Sequence, residues 1–135
     1  MSPTESLHYA IGELAYAVAS ADGTVQKEER EKFHSIVEAE LRCKDYAFDI
    51  SDIIFKIMDK DKVPTKDAYN WAMNQIRTNS HYLSPKLKKT FISVMEKIAK
   101  AYEPVTVDET LLIDKFKKDI ALIYGDPIYY DHIVN

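Results

Sequence analysis

Asp22-Gly23, Val25 and Glu29 carry the spacing of the closing half of an EF-hand loop: an acidic ligand, the glycine of the sharp turn, an aliphatic residue and a final glutamate. Such residues do one kind of chemistry, the coordination of a hard cation by carboxylate oxygens. The opening half is absent, because the first and third ligand positions fall on Val18 and Ser20, and only the serine could serve. A true EF-hand is therefore excluded. Asp59 and Asp61 are spaced like first and third ligands, but Pro64 stands at the glycine position and no glutamate closes the loop, so that run reads as solvated surface.

Other chemistry finds less support. Glu31 and His34 have the E-x-x-H spacing of di-iron bundles, which need two such motifs facing inward; there is one, and its helical phase puts both side chains on the wet face. His8, His81 and His132 lack an H-E-x-x-H context, and Cys43 has no histidine near it in sequence. Neither a glycine-rich phosphate loop nor a dinucleotide fingerprint occurs. No catalytic residue is assigned, and the chain is read as a non-enzyme. Lys86, Lys88, Lys89, Lys97 and Lys100 are read as a solvated helix face.

The elements that must position these residues are helical. The 135 residues fit one domain, and 46% hydrophobic content with three glycines and five prolines argues against both disorder and a many-turned β fold. Ser2-Pro3-Thr4-Glu5 is a capping box with proline at the first position, predicting a helix from about Pro3 to Ala21 that Asp22-Gly23 stops. Lys27 to Leu41 follows, with an inward stripe at Phe33, Ile36, Val37 and Glu40 or Leu41. Further helices are expected over Ser51 to Lys60, from Pro64-Thr65 to Asn79-Ser80, from Ser84-Pro85 through Ala101, and from Thr106 through Ile123. Trp71, with Tyr69 and Met73, reads as core or its margin. Gly125 and Pro127 end the last helix, leaving residues 125–135 as a tail that is expected to pack on its own domain, with docking to a partner as the other use of its tyrosines.

Sliding the chain by 80 positions sets Ala19, Ala21, Val25 and Glu29 on Ala99, Ala101, Val105 and Glu109, all identical. Leu7, Ile11, Leu14, Val18, Phe33 and Ile36 fall on Leu87, Phe91, Val94, Ile98, Ile113 and Phe116. The expected architecture is all-α, a compact domain of six to seven helices over residues 1–124. Two similar helix pairs stand at its ends, with other helices inserted between them.

The Ala-Asp-Gly-x-Val-x-x-x-Glu pattern at the corner of a helix pair, with a weaker echo near the C-terminus, resembles the TerB family of tellurite-resistance proteins. The resemblance covers roughly Leu7 to Ile123. It implies a compact helical fold and an acidic cluster that binds metal ions in bacteria under metal or other stress, and it implies no catalytic activity. Asp22, Gly23 and Glu29 match the first motif and Glu109 the glutamate of the second. Tyr102 and Glu103 replace the second Asp-Gly, so two symmetric acidic halves are not expected.

Two accounts of the corner stand side by side. With Gln26 as N-cap, Glu29 is the third helical residue and accepts from the cap amide, as Glu109 would with Thr106; Asp22 serves an Asx turn beside Gly23. The second account adds a ligand: Asp22, Glu29 and Glu109, or Glu103, converge as oxygen donors for Ca²⁺, Mg²⁺ or Mn²⁺ in preference to zinc. A metal-free helical interaction domain with an unidentified protein partner is the functional alternative. The net charge of −4 gives no global attraction to nucleic acid or to an anionic membrane, and no apolar run is long enough to span one. The single cysteine fits a reducing cytoplasm.

Overall fold

The structure, a computed structural model, describes residues 2–41, 45–101 and 104–131. Cys43, His132, Tyr102 and Glu103 lie outside them, as do the side chains of Val37, Glu40 and Leu41. Among the described residues there are seven α-helices and a single 3-10 turn, and no strand. They are α1 (Pro3–Ala19), α2 (Lys27–Leu41), α3 (Asp45–Asp61), α4 (Thr65–Thr78), the 3-10 turn Ser80–Tyr82, α5 (Pro85–Lys100), α6 (Val107–Ala121) and α7 (Pro127–Tyr130). The all-α expectation holds, with inserted helices α3 and α4 between the pairs α1–α2 and α5–α6.

Local signals set most starts. Ser2 Oγ accepts from the Glu5 amide while Glu5 returns a bond to the Ser2 amide, and Thr106 and Glu109 repeat this box at α6. Ser84 caps α5 through the Leu87 amide, with Pro85 at the first position. At its end α1 stops two residues short of Ala21: Ala21 donates to Val18 O and Gly23 to Ser20 O, a tightening that precedes Gly23 at φ 98°. α3 begins at Asp45, ahead of the expected Ser51.

α1 is the hub. It packs against α3, α4 and α5 at once, and every residue from Ala10 to Ala19 is buried. Gly12 marks the closest approach: a Cβ there would collide with Ile54 Cγ2 and the Ser51 carbonyl. The core runs through Leu14, Val18, Phe33, Phe55, Phe91, Ile98 and Phe116, with the Phe33 and Phe55 rings stacked 4.2 Å apart. Trp71 is not core; it is 48% exposed, on the outer side of α4.

The repeat is visible in burial and ends where the inserts begin. Ile11, Leu14 and Val18 on α1 and their counterparts Phe91, Val94 and Ile98 on α5 are all buried. Gly12, Tyr16 and Ser20, which face α3 and the α3–α4 corner, correspond to Ile92, Glu96 and Lys100. On that second surface Ile92 packs at the margin of the core, and Glu96 and Lys100 are charged. The described part of the tail carries α7, which packs on the 3-10 turn through Asp126 N to His81 O and the Tyr129 ring against His81 and Tyr82. The expected self-packing is present.

Candidate carboxyl site

Glu29 and Glu109 are both inside the protein, 1% and 2% exposed. Each occupies the third position of its helix, and one oxygen of each is used there. Glu29 Oε1 accepts from the Gln26 amide at 2.9 Å; Glu109 Oε1 accepts from the Thr106 amide at 2.8 Å and the Thr106 hydroxyl at 3.0 Å. The remaining Glu29 oxygen, Oε2, is buried with no hydrogen-bond partner.

The Glu109 carboxyl adjoins that of Glu29. Burial above all, with the adjoining Glu109 carboxyl and a smaller repulsion from Asp22, pushes the Glu29 carboxyl up to about 8 against the opposing effect of the Gln26 amide. Two carboxylates cannot donate to each other. The raised Glu29 carboxyl favours keeping its proton, and that proton is a donor available to the adjoining Glu109 oxygens.

Asp22 stands apart. It is exposed, and its Oδ1 accepts from the Thr24 amide at 3.2 Å in the expected Asx turn. Among the described residues no three acidic, histidine or cysteine side chains form a group able to hold an ion. The structure thus brings Glu29 and Glu109 together and leaves Asp22 within electrostatic reach only. Glu31 and His34 lie on the wet face as expected, Glu31 near Lys27 and His34 3.8 Å from Asp52.

Two features were not anticipated. Glu13, in the middle of α1, is 2% exposed, and burial pushes its carboxyl up to about 8. Its Oε1 accepts a long hydrogen bond from Gln75 Nε2 at 3.5 Å. The signal was available: Ala10 to Ala21 contains no other charge, the mark of a helix buried all round. Asp59 is the second. It is not plain solvated surface, since both its oxygens are held by Arg30, Nε at 2.6 Å and Nη2 at 3.2 Å, tying the α3 end to α2.

A central buried helix, two repeated helix pairs and paired N-terminal glutamates define a helical module with an interior carboxyl pair. The chain belongs to the TerB family: the family model described as "Tellurite resistance protein TerB" matches residues 8–124. Neither a curated protein nor a solved structure shows significant similarity to the chain.

Proposed function

We propose that this TerB-family module takes up a divalent cation between Glu29 and Glu109, in place of the proton that otherwise joins them, as part of a bacterial response to metal or other stress in the cytoplasm. The observation that carries this is the buried Glu29 Oε2, which has no donor, in a carboxyl that adjoins a second one. Oxygen-only donors suit Mg²⁺, Mn²⁺ or Ca²⁺ over softer metals. Two carboxylates are the usual protein share of a Mg²⁺-type site, whereas Ca²⁺ asks for about six to eight oxygens. Asp22 contributes charge from the corner without touching the ion.

A second reading has its own support. Both Oε1 atoms are already used as helix caps, which accounts for the spacing without metal, and Leu122 and Tyr124 before the tail and Ile128 within it are more than two-thirds exposed. In that reading the chain is a metal-free interaction domain. Thermal unfolding in Mn²⁺ or Mg²⁺ separates the two: a cation site predicts a rise in Tm for the wild type and none for Glu29→Gln. An equal response, or none in either protein, favours the interaction domain.

A further inference from the structure

The corner that sends Glu29 inward presents its other side to a cleft of about 670 Å³, lined by Ser20 and residues 23–25 on one side and by Asp59, Lys60 and residues 62–65 on the other. That volume is in the range of small-molecule sites. Its charge runs against that of the chain. Three cations, Arg30, Lys60 and Lys62, line it with one carboxylate, Asp59, which leaves a formal +2 in a protein of net charge −4.

The one carboxylate is spent. Arg30 Nε and Nη2 occupy both Asp59 oxygens, and that pair of bonds fixes the guanidinium while Nη1 has no hydrogen-bond partner among the described residues. Lys60 and Lys62 have no ion-pair partner among the described residues. At the floor, the Ser20 and Thr65 hydroxyls are 2.7 Å apart, and Tyr16 holds the rim in place through a 2.7 Å bond to Val63 O. Val25, Val63 and Pro64 supply apolar wall.

We propose that this cleft binds a small organic phosphate, of mononucleotide size. The phosphate lies among Lys60, Lys62 and Arg30 Nη1, where a dianion matches the local +2, and the organic body lies against Val25, Val63 and Pro64. Nothing in this assignment depends on a cation at Glu29 and Glu109.

Calorimetric titration with AMP and with inorganic phosphate tests it. Lys60→Gln with Lys62→Asn removes the unpaired charges, and asparagine suits position 62 because its φ of 53° is left-handed. Lys86→Gln with Lys89→Gln, two exposed positions on α5, makes the same change in net charge elsewhere. The expected result is AMP binding to wild type and to the α5 variant alike, weakened about tenfold or more in the cleft variant, with inorganic phosphate weaker than AMP throughout. No AMP binding to the wild type, equal loss in both variants, or inorganic phosphate binding as tightly as AMP would overturn it.

Discussion

Glu29→Gln should stabilise the protein, and by an amount that grows with pH. Glutamine keeps an oxygen for the Gln26 amide and adds an NH₂ that donates to Glu109, so the cap survives and the orphaned atom gains a partner. The gain comes from the charge that is no longer buried. The Glu29 carboxyl is pushed up from 4.5 to about 8 in the fold, so between those values the folded state favours a proton that the unfolded state has released. Stability from this group is therefore fully present below about pH 4.5 and is lost as pH rises through about 8, at up to ~1.4 kcal/mol per pH unit. The whole interval gives about 5 kcal/mol as an upper bound, and relaxation around the ionised pair brings the expected difference to about 2 to 4 kcal/mol. Urea unfolding followed by circular dichroism reads it directly. Near pH 5 the variant and wild type should agree to within about 1 kcal/mol, and near pH 8.5 the variant should be the more stable. A constant offset across pH, or a less stable variant at pH 8.5, refutes the buried-pair reasoning.

Four further outcomes follow from the same geometry. Glu13→Gln should also gain stability as pH rises toward 8, since the Glu13 carboxyl is raised in the same direction, but with no change in any response to Mn²⁺. Gly12→Ala should cost about 3 kcal/mol or more in urea unfolding, because the added methyl meets Ile54 and the Ser51 carbonyl between packed helices. Asp22→Ala removes one exposed Asx bond and should cost under about 1 kcal/mol by the same assay. Deleting residues 126–135 should lower Tm, through loss of the Asp126 bond and the Tyr129 contacts with His81 and Tyr82; an unchanged Tm would assign that segment to something outside the domain.

Much of the fold was legible because its helix starts are written locally. Ser2, Ser84 and Thr106 with their prolines and glutamates are short-range signals, and each is a cap in the structure. The Asp45 start of α3 carries no Ser/Thr-x-x-Glu or proline signal, and it was missed. The meeting of Glu29 and Glu109 was legible only through the repeat. Glu29 and Glu109 are equivalent positions of the two helix pairs, a relation that single-helix periodicity cannot indicate. Asp22 fell outside because an Asx turn directs its carboxylate to its own backbone. Arg30–Asp59 joins residues 29 apart in sequence, and Glu13 sits in a stripe that was read for its apolar members; neither leaves a periodic trace.

The central claim is that Glu29 and Glu109 trade a shared proton for a cation. Titrating Mn²⁺ into the protein near pH 7 in two buffers of different ionisation enthalpy counts the protons released on binding. About one proton per ion, abolished together with binding in Glu29→Gln, is the result this account predicts. Binding without proton release, binding that survives the substitution, or no binding at all would contradict it.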